Sequence, residues 1–189
     1  MPKAITDFTN KKDLKSYINE NGFFTKVIAN KINTEELDVI LSQKNAVTVL
    51  RKDQIPTGDN IMIFSAISSR NYGPGEKNRN WYKIDTDGWD IKSYKKNPVV
   101  LLQHDTEYGP IGNTISFYKN ENNDFCSTFF VNLDAVEPRV AVQIKTNLLK
   151  GVSTGSIAIE MMAENNETGD RITLDEYIKI KGDSWAVID

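Results

Sequence analysis

The chain has 189 residues, of which 39% are hydrophobic, with a formal net charge of −3 and only one cysteine and one histidine. This length predicts one domain with a core and at most an appended segment. The acidic balance argues against a general nucleic-acid binder, and one Cys with one His cannot form a disulfide framework or a four-ligand zinc site. No apolar run approaches the ~20 residues of a membrane span, and the N-terminus lacks a signal region. We therefore expect a cytoplasmic protein without metal, cofactor, nucleic acid or membrane as a partner.

Residues 1–57 are predicted to form a helical N-terminal extension. Helical spacing occurs near 11–19 and more clearly over 33–41, where Asn33 or Thr34 can cap the first turn. A breaker cluster with Pro and Gly over 54–59 predicts a boundary. Residues 58–189 are accordingly assigned to a second domain.

Short strand patterns dominate from residue 60 onward. The run 98–103 is apolar, contains two valines and follows Asn97, as is typical of a buried strand. A helix is predicted over 135–149, and Gly151 ends it. Seven or eight short strands with one central helix predict a mainly β, α+β fold, specifically a closed antiparallel β-barrel of about seven strands flanked by helices.

The single histidine, His104, directly follows the mostly apolar run 98–103. A serine hydroxyl is a weak nucleophile and needs a base, which is most often histidine. Ser153 is favoured among the serines because it follows the helix-ending glycine and precedes Gly155, which lets a substrate approach the backbone. By residue type alone, a structural histidine and a serine in a turn are the more common explanation.

A catalytic histidine also needs an acid that orients its ring. Asp105 is adjacent to His104, but neighbours in a strand point to opposite faces. Glu160 lies at an odd offset from Ser153, and Asp189 follows the strand-like run 185–188. Each of the three acids is also compatible with a solvated surface position.

Aromatic residues interleaved with lysines allow a second interpretation, a platform for single-stranded nucleic acid. The alternative is packing of the core and turns, which the acidic charge favours. The residues concerned are Trp81, Tyr82, Trp89, Tyr94 and Tyr108.

Three segments together resemble the tailed-phage prohead maturation proteases. Residues 87–105, DGWDIKSYKKNPVVLLQHD, are similar to that family's aromatic-rich segment, tyrosine, Asn-Pro-Val-Val-Leu and terminal His-Asp. Residues 110–112 match the Pro-Ile-Gly that tends to follow. Residues 148–155 resemble its helix end, glycine and Ser-x-Gly nucleophile strand. The resemblance covers about residues 61–189, with Ser156 standing where an aromatic residue is usual.

The resemblance implies that His104 is the base, Ser153 the nucleophile and Asp189 the third catalytic residue, with Glu160 or another acid left open. It implies a fold similar to the herpesvirus assembly proteases, which often self-associate. The implied activity is a serine endopeptidase that cuts the scaffolding protein, the major capsid protein and itself inside the procapsid, in the host cytoplasm. Two alternatives stay open, a catalytically silent capsid-assembly module and an unrelated β-barrel binding module.

Overall fold

A computed structural model describes residues 23–73, 82–149, 151–156, 160–165, 167–180 and 185–188. These residues form short strands, three α-helices and several 3₁₀ turns. The strands are β1 (Phe23–Ile28), β2 (Asn30–Ile32), β3 (Val47–Thr48), β4 (Ile61–Ser69), β5 (Tyr82–Lys83), β6 (Val99–Leu101), β7 (Pro110–Lys119), β8 (Phe125–Asn132), β9 (Gly151–Ser156), β10 (Met162–Asn165), β11 (Arg171–Thr173) and β12 (Trp185–Ile188). The α-helices are α1 (Thr34–Leu41), α2 (Pro138–Lys145) and α3 (Leu174–Ile180).

The strands are distributed over three open sheets. The largest has the order β2-β4-β8-β7-β3, with β6 also paired to β7. A second has the order β11-β10-β12-β5, and β1 pairs with β9. The predicted closed antiparallel barrel of about seven strands is therefore wrong. The edge strands β2 and β3 of the largest sheet pair with β4 and β7, and among the described residues no pairing of β2 with β3 closes the sheet. The mostly β content with helices is compatible with the α+β class.

Residues 23–57 are not a helical appendage, which corrects the predicted N-terminal extension. Helix α1 begins as predicted: the Glu36 N–H donates to Asn33 Oδ1 over 2.8 Å, and the Asn33 N–H donates to Glu36 Oε2 over 2.8 Å. However, β2 pairs antiparallel with β4, and β3 with β7. This part of the chain thus contributes strands to the largest sheet. The helical spacing near 11–19 falls outside the described residues.

The chain divides into two compact units. Among the described residues, the first unit comprises those within 26–69 and 90–153 and contains the largest sheet, and the second comprises 23–25 and those within 70–89 and 154–188. The predicted boundary between residues 57 and 58 stays a prediction.

Both faces of the largest sheet carry a hydrophobic cluster. The smaller cluster joins Leu37 of α1 to Ile115 and Phe130. The larger one is called the main cluster here; the rings of Phe64 and Phe129 stack in it with centroids 5.7 Å apart. The buried members of the main cluster are Ala29, Met62, Phe64, Ala66, Ile111, Phe129, Val131, Leu133, Val136 and Ile144.

The second unit is held by an ion pair as well as by apolar packing. Arg171 of β11 donates from Nη1 to Asp85 Oδ2 over 2.6 Å and from Nε to Glu164 Oε2 over 3.3 Å. The hydrogen bond with Asp85 is the main cause that raises the pKa of Arg171. Glu164 is buried, so the guanidinium compensates a carboxylate that water reaches poorly. The pair connects the segment after β5 to the β10–β11 hairpin.

Candidate active site

Strand β6 leads the chain to His104, and a tyrosine fixes where this strand begins. Val99 and Val100 pair with Asn113 and Gly112 of β7. The Tyr94 hydroxyl donates to the Val99 carbonyl over 2.8 Å. It also lies 2.9 Å from Thr114 Oγ1. Burial raises the pKa of Tyr94, which keeps the hydroxyl protonated. The tyrosine before Asn-Pro-Val-Val-Leu is therefore a structural element of this motif.

His104 lies in a turn and not at the end of a strand. The predicted strand 98–103 is shorter, because β6 ends at Leu101 and a 3₁₀ turn follows over Leu102–His104. Gln103 has φ 54° and ψ 27°, and His104 has φ 59°. Two consecutive non-glycine residues in the left-handed region are strained by roughly 1–2 kcal/mol each. The His104 side chain is exposed, so this strained turn presents the imidazole to solvent.

The loop after His104 is shaped by Asp105. Asp105 Oδ1 accepts from the Glu107 N–H over 2.8 Å and from the Tyr108 N–H over 3.2 Å. The strand argument against Asp105 as an orienting acid does not apply, because His104 and Asp105 occupy a turn. Asp105 instead folds the loop, in the way that Asp side chains stabilise Asx turns. The aspartate of the His-Asp motif thus has a local structural role.

Tyr108 connects this loop to helix α2. The Glu137 N–H donates to the Tyr108 hydroxyl over 3.1 Å. Glu137 is the N-cap residue of α2, and Pro138 is the first helical residue. Proline has no N–H, which is why it is tolerated at this position. The contact spans 29 residues of sequence and joins the His104 loop to the helix that precedes Ser153.

Helix α2 ends earlier than the predicted range 135–149. Its last residue is Lys145, and Asn147 adopts φ 60°. The N–H groups of Leu148 and Leu149 then both donate to the Gln143 carbonyl, over 2.9 and 3.0 Å. Leu148 lies within the range predicted as helix, but it follows the end of α2 and is 78% exposed. The chain leaves this turn and enters β9, which carries Ser153.

The segments that carry His104 and Ser153 pack on the same core. Val100 and Leu102, which precede His104, contact the main cluster. Val152, which directly precedes Ser153, contacts it too. Both catalytic candidates also belong to the first compact unit. One hydrophobic core therefore anchors the backbone on which each of them stands.

The acids proposed as the third residue have different locations. Asp105 shapes the loop, as described above. Glu160 is exposed and belongs to the second unit. Asp189 lies outside the described residues. The identity of the third catalytic residue stays a prediction.

The only cysteine does not compete as a nucleophile. Cys126 is 2% exposed in β8. Burial, and secondarily the charge of Asp124, raise the pKa of its thiol to about 11. A thiolate is the reactive form, so Cys126 is inert near neutral pH.

The part of the chain that the structure describes holds no group of three His, Cys, Asp or Glu side chains placed to bind a metal ion. It also holds no helix long and apolar enough to cross a membrane. Among the predicted aromatic residues, Tyr94 and Tyr108 are engaged in the hydrogen bonds given above.

Sequence reasoning missed the hydrogen bonds of the Tyr94 and Tyr108 hydroxyls. Asp105 followed by polar residues and Gly109 is a turn signal that could have located the loop. The bond from Tyr108 to Glu137 joins distant positions and leaves no local signal.

No protein family, no curated protein and no solved structure matches this chain.

Proposed function

We propose that this protein is a serine endopeptidase of phage capsid maturation, with Ser153 as the nucleophile and His104 as the general base. The observation that carries the proposal is that the residues preceding each of them, Leu102 and Val152, pack on one core in one compact unit. The strained turn at His104 adds support, because such backbone outliers cluster at active sites. The resemblance of residues 87–105, 110–112 and 148–155 to prohead proteases supplies the substrates: scaffolding protein, major capsid protein and the chain itself.

The chemistry follows from the two side chains. Ser153 Oγ attacks the peptide carbonyl carbon while His104 accepts the hydroxyl proton. Backbone N–H groups stabilise the oxyanion. His104 then gives the proton to the leaving amine, and water releases the acyl group by the same steps in reverse. An acid that orients the imidazole completes the triad, with Asp189 as the first candidate.

A fluorophosphonate reagent tests the nucleophile without knowledge of the cleavage site. Ser153 Oγ forms a bond to phosphorus, fluoride leaves, and His104 passes the serine proton to solvent. We expect one phosphonyl group per chain by intact mass, located on Ser153 by peptide mapping. Ser153→Ala should abolish labelling, and His104→Ala should slow it by about 100-fold or more.

Ser156→Ala is the matched control, because Ser156 lies three residues further along the same strand. This variant should be labelled at the wild-type rate. Unchanged labelling of Ser153→Ala, or a label on another serine, contradicts the proposal.

The endopeptidase step is tested by co-expression with the scaffolding and major capsid proteins from the same source. Wild type should shorten one or both, and Ser153→Ala and His104→Ala should leave them intact. Intact partners in the presence of a phosphonylated wild type would place the activity on another substrate. The alternative of a silent assembly module predicts neither labelling nor cleavage.

A further inference from the structure

We propose that Tyr108 is a positioning residue that holds the His104 loop against the start of helix α2 and thereby fixes the base relative to the nucleophile strand. This inference rests on the proposed function, because it assigns Tyr108 a role in serine catalysis. It adds a residue that belongs to neither the base motif nor the nucleophile motif.

The hydroxyl of Tyr108 makes the defining contact. It accepts the Glu137 N–H over 3.1 Å, at the N-cap of α2. The Glu137 side chain makes no capping bond of its own, and Pro138 has no N–H to offer. Tyr108 is 39% exposed, so its ring buries only part of its apolar surface. The hydroxyl therefore distinguishes this residue from a simple packing residue.

The backbone of Tyr108 is itself held in place from the His104 side. Its N–H donates to Asp105 Oδ1, the atom that also accepts from the Glu107 N–H. Gly109 follows with φ 85°, which lets the chain turn into β7. A continuous link therefore runs from His104 through Asp105 and Tyr108 to Glu137, the N-cap residue of α2.

The other end of α2 leads to the nucleophile. From Lys145 the chain passes through the turn bonded to the Gln143 carbonyl and enters β9. A displacement of about 1 Å between a base and a nucleophile can slow a reaction substantially. The loss of one hydrogen bond that sets this distance is expected to slow proton transfer by about tenfold.

Tyr108→Phe removes the hydroxyl and keeps the ring. We expect phosphonylation of Ser153 to be about tenfold slower. We also expect the midpoint of thermal unfolding to change little, because the contact is exposed. The chain contains one histidine, so its imidazole NMR signals belong to His104 without assignment. They should shift or broaden in Tyr108→Phe.

Tyr118→Phe is the matched control. The Tyr118 hydroxyl lies 2.7 Å from Ser65 Oγ in the sheet, and this hydrogen bond is partly buried. The variant loses the hydroxyl hydrogen bond to Ser65, which lies outside the His104 loop. It should lower the thermal midpoint at least as much, with wild-type labelling and an unchanged His104 spectrum. A stability effect alone would slow both variants alike.

The outcomes separate the two proposals. Wild-type labelling of Ser153 with an unchanged rate in Tyr108→Phe overturns the positioning role and leaves the proposed function intact. An absence of labelling in wild type overturns the proposed function and, with it, the catalytic role of Tyr108. In that case an unchanged His104 spectrum in Tyr108→Phe overturns the structural link as well.

Discussion

Two residues in the left-handed region distinguish the turn that bears the candidate base. Gln103 and His104 both carry a Cβ, and neither is Asn or Asp, the residues that most readily adopt this conformation. A glycine at position 103 would relieve the steric conflict at little cost in contacts, because Gln103 is exposed. The sequence therefore retains a side chain where stability favours none. This pattern is expected where geometry at the neighbouring residue matters more than stability.

Gln103→Gly tests this interpretation. Glycine relieves the backbone strain of the folded state, but it also gives the unfolded chain more conformational freedom. We expect the first effect to exceed the second and to raise the free energy of unfolding by about 0.5–1 kcal/mol. The fluorophosphonate rate at Ser153 should fall severalfold, because the turn holds His104 less rigidly. Denaturant unfolding and the labelling rate measure the two effects.

Asn123→Gly is the corresponding control, since Asn123 has φ 59° in the β7–β8 hairpin, away from the His104 loop. It should gain stability, or stay neutral, with an unchanged rate. A Gln103→Gly variant that is both more stable and equally reactive would show that the strain has no role in the proposed reaction.

At this scale the sequence identifies residue types and not backbone conformation. Residues 87–105 resemble a family motif, but the left-handed pair at 103 and 104 carries none of the glycine or asparagine signals that predict positive φ. The strand prediction extended two residues too far for this reason.

At the level of elements, Gly112 decides how closely β7 approaches β8. A Cβ added at Gly112 would lie 1.9 Å from the Phe130 carbonyl oxygen and 2.8 Å from its carbon. Both atoms belong to the backbone and cannot rotate away. Gly112 also pairs with Val100 of β6, the strand that leads to His104. The glycine of the Pro-Ile-Gly motif is thus a packing requirement between strands.

Gly112→Ala should lower the free energy of unfolding by about 3 kcal/mol or more, because strands β7 and β8 must separate locally. Chemical denaturation measures the change. Gly151→Ala provides the contrast: no atom lies within 4 Å of its added Cβ, and the effect should stay within about 1 kcal/mol. Equal stability of the two variants would contradict the close approach at Gly112.

The predictability of elements depended on whether the signal was local. The N-cap of α1 depends on residues three apart in sequence, and the sequence predicted it at Asn33 or Thr34; the structure has Asn33. Helix α2 was predicted four residues too long at its C-terminus, because apolar Leu148 fits the helical period. In the structure the main chain of Leu148 and Leu149 turns back to Gln143 instead.

For the whole molecule, strand patterns predicted the mostly β character but not the arrangement of the sheets. Alternation shows that a segment is a strand, and hairpin loops show which neighbours pair. Closure depends on pairings between distant strands, and these carry no sequence signal of their own. The pairing of β2 with β4 and the parallel pairing of β12 with β5 are both of this kind.

The buried thiol in the largest sheet makes the stability of the folded protein sensitive to alkaline pH. The pKa of Cys126 rises from 9.0 to about 11 on folding, chiefly through burial. As pH rises above about 9, the unfolded chain loses the thiol proton first, so unfolding becomes more favourable. The stability that depends on the neutral thiol is present below pH 9 and is lost as pH approaches 11. Each pKa unit corresponds to about 1.4 kcal/mol, and we expect a loss of about 2 kcal/mol.

Cys126→Ala isolates this contribution. Burial also raises the pKa of Tyr94, but Tyr94 titrates in both proteins and cancels in the difference. Burial is likewise the main cause that raises the pKa of Tyr118, and only the smaller contribution of Cys126 to that pKa is lost in the variant. At pH 7 the variant should be less stable than wild type, because it loses a buried sulfur atom. The difference should shrink by about 2 kcal/mol between pH 8 and pH 11, measured by denaturant unfolding at each pH. Parallel stability curves for the two proteins would mean that Cys126 titrates alike in the folded and unfolded chain, against the burial observed in β8.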